Sequence, residues 1–244
     1  MPKIPSPSRK VQLTSFLGFI CLVVLFLNNS TAYALIYTLQ PGLGPLQVIK
    51  TLRGQRVLRE NIEYNSVPGE LQVYLCPDDF SSVVQQLASI LPRFKAGNFS
   101  KGGIILDLPR EGGYERLLIL QAGTHSKPVC FYLKLKRRPP HPGNLSWPAE
   151  IPQPGGAEIR HLIRFQRTGA LYLAFHVPGG AAGSISLQMA TQFQARGWQP
   201  VSRPDLNGAV FLESSGKRML TLCVTGSPQA TSAFGACYLR PLRK

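Results

Sequence analysis

The feature that most constrains the fold of this chain is a pattern that occurs twice, at an offset of about 100 residues. Residues 58–75 read LRENIEYNSVPGELQVYL, and residues 159–175 read IRHLIRFQRTGALYLAF. Each segment places Arg, an apolar residue and an aromatic residue before a turn with Gly and a strand-like run. Tyr64 then corresponds to Phe165, and later matches keep the same order as far as Cys130 and Cys237. The repetition predicts an internal duplication.

Apolar residues at helical spacing predict one amphipathic helix in each copy, at 79–91 and 182–196. Their inward faces are Phe80, Val84, Leu87 and Leu91 in the first copy and Ile185, Met189 and Phe193 in the second. Short runs rich in Val, Ile, Leu, Tyr and Phe surround each helix and predict the order ββαβββ. We therefore expect the α+β class: an N-terminal signal or anchor helix, then two tandem small two-layer domains, each a mostly antiparallel sheet covered by one helix.

Composition shifts divide the chain into five predicted parts. Residues 136–156 hold six Pro and three Gly and read as a basic, semi-extended linker, because Pro cannot join a central strand. Residues 35–57 form a tether. The first α+β repeat is then 58–135 and the second is 157–244.

The first 34 residues have the order of a targeting segment. A positive stretch with Lys3, Arg9 and Lys10 precedes twelve consecutive apolar residues, 16–27, and a small-residue site ends at Ala34. Cleavage before Leu35 would make it a signal peptide, whereas a tilted helix continuing to about residue 36 would be an uncleaved transmembrane anchor. Both alternatives predict export, with the remainder periplasmic or extracellular, either membrane-anchored or secreted.

Four cysteines follow this segment: Cys76, Cys130, Cys223 and Cys237. An even number outside the cytoplasm is compatible with two disulfides. We predict Cys76–Cys130 and Cys223–Cys237, since each pair lies within one copy. The alternative is four buried free thiols that pack as small apolar groups.

No sequence motif indicates catalysis, a cofactor or a metal site. Apolar residues make up 44% of the chain and charged residues 16%, which excludes a disordered chain. The four histidines, His125, His141, His161 and His176, form no metal-ligand motif. Asp78 and Asp79 read as helix-capping groups, and the segment 214–217 reads as a turn. We therefore predict a protein that is not an enzyme.

The net charge of +15 is the strongest remaining functional signal. Basic clusters follow the last predicted strand of each copy, and we identify them as candidate anion-binding residues: Lys134, Lys136, Arg137, Arg138, Arg240, Arg243 and Lys244. An excess of positive charge attracts anionic lipid, acidic glycan or nucleic acid. Nucleic acid is the weakest of these partners, because the chain has no stacking-aromatic motif and an exported protein seldom meets nucleic acid.

These features favour a non-catalytic exported or membrane-anchored envelope protein whose paired modules act in protein–protein interaction or assembly. Its partner would be another envelope protein, and an uncleaved N-terminal segment would add contact with the membrane. The alternatives are a binder of anionic lipid or polysaccharide through the basic clusters, and an enzyme with an unrecognised site.

Overall fold

The fold is described from a computed structural model that covers residues 35–38, 44–91, 103–110, 112–121, 127–201, 203–226 and 232–242. Contacts divide the chain into two compact units. We call Ser30–Ser146 with His161–Ala170 the N-terminal unit. The C-terminal unit contains Trp147–Arg160 and the chain from Leu171 onward.

Helices are α1 (Pro45–Thr51), α2 (Phe80–Ile90) and α3 (Ala182–Ala195), with a 3-10 turn at Pro142–Asn144. Strands are β1 (Leu35–Thr38), β2 (Gln55–Tyr64), β3 (Val67–Leu75), β4 (Gly103–Arg110), β5 (Gly113–Leu120), β6 (Val129–Leu135), β7 (Glu158–Phe165), β8 (Leu171–Pro178), β9 (Trp198–Pro200), β10 (Gly208–Glu213), β11 (Arg218–Thr225) and β12 (Ser232–Pro241). None of the helices in the described ranges has the length and apolar character needed to span a membrane. The predicted signal or anchor segment, 1–34, lies outside the described residues.

The sheet of the N-terminal unit has the strand order β4-β5-β6-β3-β2-β7, with antiparallel neighbours throughout. β1 adds a parallel strand beside β4. A tight turn at Asn65 and Ser66, both with positive φ, connects β2 to β3. The Asn65 side chain extends the β2–β7 ladder, because its Oδ1 accepts the Leu162 N–H at 2.8 Å while its own N–H donates to the Leu162 carbonyl.

One face of this sheet carries both helices of the unit. Asp79 caps the N-terminus of α2: its carboxylate accepts the Ser82 N–H at 2.8 Å, which confirms the predicted capping role. Val83, Val84 and Leu87 point into a core that the sheet and α1 complete. The members of this core from α1 are Val48, Ile49 and Leu52.

The C-terminal unit has a sheet with the order β8-β12-β11-β10-β9, again antiparallel. α3 packs on this sheet through Ile185, Met189 and Phe193, all buried. Trp147, from the Pro-rich segment, donates its Nε1–H to the Ile151 carbonyl at 2.7 Å and contacts Phe175 edge to face at 5.5 Å. The segment around Trp147 is thus fixed to the unit that follows it.

The predicted fold class is wrong. The described residues are 49% strand and only 20% helix, so they form mostly antiparallel sheet and not two small two-layer α+β domains. β7 shows the physical reason. We expected it to open a second domain, yet its residues 161–165 belong to the N-terminal unit, where they satisfy the backbone groups along β2.

The positions of the two predicted helices are confirmed. The expected spans 79–91 and 182–196 correspond to α2 and α3, and their predicted inward side chains are buried. A third helix, α1, and the short strand β9 did not emerge from the sequence.

Candidate functional site

A row of polar side chains crosses the N-terminal unit on the face that carries α2. Strand register places Asn61 opposite Glu70, Glu70 opposite Lys134, and Lys134 opposite Glu115. Because residues two apart on a strand share a face, the next row is Arg59, Gln72, Tyr132 and Leu117. The third row, with Tyr74, Cys130 and Ile119, belongs to the core under α2. From the row under α2 to the row farthest from it, the side chains therefore become more polar.

This polar row lines an open groove. α2 has eleven residues and its core contacts lie over the apolar rows. We call the uncovered region the polar groove and define it by Arg59, Glu70, Glu115 and Lys134; its volume is about 640 Å³. Gly69 allows the strands to lie close together here, since a Cβ on it would stand 2.4 Å from the Lys134 carbonyl oxygen.

A hydrogen-bond relay fixes Glu70 at the base of the groove. Arg59 Nε donates to Glu70 Oε2 at 2.6 Å, and Gln72 donates to the other carboxylate oxygen. Tyr74 donates to Gln72, so the relay reaches the core. Burial raises the pKa of Glu70, but the hydrogen bonds from Arg59 and Gln72 and the charges of Arg59 and Lys134 outweigh it, and the pKa lies below its usual value. Glu70 is therefore ionised and neutralised within the groove.

Glu60 fixes the turn that forms one wall of the groove. Its carboxylate is buried and accepts the backbone N–H groups of Arg167 and Thr168 at 3.1 and 3.2 Å. The Arg167 guanidinium adds an ion pair at 3.0 Å. The Gln166 N–H donates to the Asn61 carbonyl at 3.0 Å, and Gln166 lines the groove. Sequence reasoning missed this contact, because 107 residues separate Glu60 from Arg167.

Three consecutive cations, Lys136, Arg137 and Arg138, follow β6 at the edge of the groove, and we call them the basic rim. All three are exposed, and Lys136 lines the groove. The Lys136 N–H donates to the Pro68 carbonyl at 3.1 Å, which holds the start of the rim against the strands. Within the described part of the chain, no carboxylate lies within ion-pair distance of these three side chains.

The candidate anion-binding residues thus have different surroundings. Lys134 lies between Glu70 and Glu115 in the polar row, whereas the basic rim faces solvent. In the C-terminal unit, Arg240 is half-buried and contacts Met219 Sδ at 3.8 Å. Arg243 and Lys244 lie outside the described residues.

The two predicted cysteine pairs differ in whether their side chains lie close together. The Sγ atoms of Cys76 and Cys130 are 3.3 Å apart in the core, and both are thiols. Cys223 lies opposite Ala236, while Cys237 lies opposite Leu222. Since neighbouring positions on a strand face opposite ways, the side chains of Cys223 and Cys237 project from opposite faces of the sheet.

The described histidines have structural partners and none of them lines the polar groove. His161 Nδ1 lies 2.7 Å from the buried Tyr64 hydroxyl, and His176 Nδ1 lies 3.1 Å from Arg160 Nη2. His141 accepts the Gly143 N–H, and His125 lies outside the described residues. Among the described residues, no group of three or more His, Cys, Asp or Glu side chains is placed to hold a metal ion.

A second buried polar cluster lies around Tyr64. Arg116 pairs with Asp107 at 2.6 and 2.8 Å. Burial raises the pKa of Tyr64 to about 12, with Arg116 opposing the shift and Asp107 adding to it. The Tyr64 hydroxyl therefore stays protonated at ordinary pH.

Comparison with known proteins gives no family, since no protein-family model, curated protein or solved structure matches this chain.

Proposed function

We propose that this chain is a non-catalytic binding protein of the cell envelope, and that its polar groove and basic rim take an acidic segment of a partner protein. The observation that carries the proposal is the basic rim: three exposed cations, none of which has a carboxylate within ion-pair distance in the described part of the chain. In the groove itself, Glu70 is paired with Arg59, and Glu115 lies opposite Lys134 in the strand register. The added charge of the rim is therefore open to an anionic partner.

The distribution of charge agrees with this assignment. The described residues of the N-terminal unit include thirteen Lys and Arg against seven Asp and Glu, and those of the C-terminal unit six against four. The positive excess thus lies mainly in the unit that contains the groove.

The shape of the site favours a chain segment over a flat membrane. The lining residues come from β2, β3, β5 and β6 and from the turn that carries Gln166, and Gly69, Gly112 and Gly113 leave parts of the wall without side chains. An extended peptide can follow such a wall with its backbone, while its carboxylates reach the rim. Anionic lipid and polysaccharide, the alternative ligands, become outcomes of the test.

The test uses the full chain and a fluorescent Glu-rich peptide of about 12 residues, which extends over roughly 40 Å as a strand. Wild type is compared with R137E/R138E and with the matched control R203E/K217E, which makes the same charge change in the C-terminal unit. We expect R137E/R138E to bind the peptide about tenfold more weakly, because each exposed ion pair contributes up to about 1 kcal/mol. The control should bind like wild type.

Two results would contradict the proposal. Equal weakening by both double variants would show that only net charge matters. Tight binding to vesicles of anionic lipid or to an acidic polysaccharide, without binding of the peptide, would support the alternative ligands instead.

A further inference from the structure

Cys76 and Cys130 are brought together by the register of β3 and β6. Tyr74 lies opposite Cys130 and Leu75 opposite Val129, and the Cys76 N–H extends the ladder by donating to the Pro128 carbonyl at 3.0 Å. Cys76 and Cys130 are therefore diagonal neighbours on one face, and their Sγ atoms are 3.3 Å apart. Both side chains are fully buried.

This separation is within reach of a covalent bond. A disulfide has a sulfur–sulfur distance of about 2.05 Å, so these two sulfur atoms need to approach each other by little more than about 1 Å. The surroundings are apolar, since α1, α2 and the sheet enclose both thiols, and the described residues around them include no metal-ligand set. A hydrogen bond with Cys130 lowers the pKa of the Cys76 thiol, so the two sulfur atoms already interact directly in the folded protein.

The other two described cysteines provide an internal comparison. Cys223 and Cys237 also lie on neighbouring strands, yet their side chains project from opposite faces of the sheet. A bond between them would require a twist of the strands about their axes. Register alone thus separates a pair that can be bonded from a pair that cannot.

We propose that Cys76 and Cys130 are a site of oxidative modification and become one disulfide when the chain folds in an oxidising compartment. One of the two thiolates attacks a disulfide of an external donor, which forms a mixed disulfide and releases one donor thiol. The other thiolate then attacks the protein sulfur of this mixed disulfide and releases the second donor thiol. Two protein S–H groups become one S–S bond, and the donor disulfide is reduced to two thiols.

The burial of both sulfur atoms determines when the disulfide can form. Neither sulfur is accessible once α1 and α2 cover the sheet, so exchange takes place before or during their packing. The bond would join the end of β3, just before the start of α2, to β6 across a sequence separation of 54 residues. Because it restricts the unfolded chain, the oxidised protein should be the more stable form. The groove ligand plays no part in this inference.

The experiment refolds the full chain from denaturant with oxidised and reduced glutathione, and separately with reductant alone. Disulfides are then assigned by non-reducing peptide mapping, and thiols are counted after denaturation. Wild type should lose two of its five thiols, with Cys76 linked to Cys130. C223S should form the same bond, whereas C130A, which keeps a small apolar side chain in the core, should form none.

Stability provides a second, independent readout. The denaturant midpoint of oxidised wild type should exceed that of reduced wild type, and the difference should vanish in C130A. A wild-type protein that retains all five thiols, or one that links Cys223 to Cys237, would overturn the inference.

Discussion

Glu60 illustrates how single side chains set the shape of the groove. Its side chain is only 2% exposed, while that of its partner Arg167 is 65% exposed. An exposed guanidinium contributes little to stability, so the main role of Glu60 is to accept the two backbone N–H groups of the turn after β7. The turn carries Gln166, and the wall of the groove therefore depends on this carboxylate.

Replacing Glu60 with Ala should destabilise the protein by about 1–3 kcal/mol, because the partly buried N–H groups of Arg167 and Thr168 lose a charged acceptor. Urea unfolding measures the loss. Glu158→Ala is the matched control: Glu158 is half-exposed and pairs with Arg160 on the surface, so it should cost less than about 1 kcal/mol. Equal effects from the two substitutions would refute the anchoring role.

Glu213 should give a measurable acid dependence. Hydrogen bonds from Arg218 and Ser215 lower its pKa from 4.5 to about 2. A carboxylate with a lowered pKa in the folded state stabilises the protein above its unfolded pKa, and this contribution disappears as the pH falls from 4.5 toward 2. Thermal melting should show that Glu213→Gln lacks this part of the acid-induced decline, while Glu150→Gln, an exposed control, retains it. Parallel curves for wild type and Glu213→Gln would contradict the assignment.

Residue-scale features were predictable only where they were local. Asp79 caps a helix that begins at the next residue, and its role was evident from sequence. The pairing of Glu60 with Arg167 depends on how β2 meets β7, and nothing near either residue signals it. The same holds for Lys134, whose two opposing carboxylates come from different strands.

At the scale of elements, β2 and β7 pair in a register that respects the repeat. Ile62 lies opposite Phe165 and Tyr64 opposite Ile163. The sequence repeat makes Tyr64 equivalent to Phe165, and hence Ile62 equivalent to Ile163. If each residue is replaced by its equivalent in the other copy, the pair Ile62–Phe165 becomes the pair Ile163–Tyr64, which is also observed. This symmetry is expected when two related strands pair antiparallel. The duplication stays a prediction, and this register supports it.

Matched substitutions in α2 and α3 test whether the two helices have equivalent roles. Val84→Asp and Met189→Asp would each bury an unpaired carboxylate, since both side chains are buried, and should cost several kcal/mol. Gln85→Asp and Gln188→Asp are the controls on exposed positions of the same helices. Denaturant unfolding should separate each buried variant from its control; a mild effect at one buried position alone would argue against equivalent helices.

Helix periodicity made α2 and α3 predictable, whereas α1 and β9 are too short to give a period. The strand order of the sheet was harder to predict, because the spacing of residues along the chain does not determine which strands pair with each other. Short apolar runs identify strands without identifying their neighbours. That is why the end of β7 was assigned to a second domain and not to the sheet that contains β2.

At the scale of the whole molecule, export is a prediction from residues 1–34. A reporter fused after Gly156 should be active only outside the cytoplasm. N-terminal sequencing should find Leu35 if the segment is cleaved, or the original start if it remains as an anchor. Recovery of the intact chain in the soluble cytosolic fraction would remove the basis for both alternatives.

The central claim is that an acidic segment binds in the polar groove beside the basic rim. Hydrogen–deuterium exchange of the full chain, with and without a saturating Glu-rich peptide, tests it most directly. We predict slower exchange in the segments that line the groove, 59–70, 112–116 and 134–138, and unchanged exchange in 208–225 of the C-terminal unit. Protection confined to the C-terminal unit, or no protection at saturating peptide, would contradict the claim.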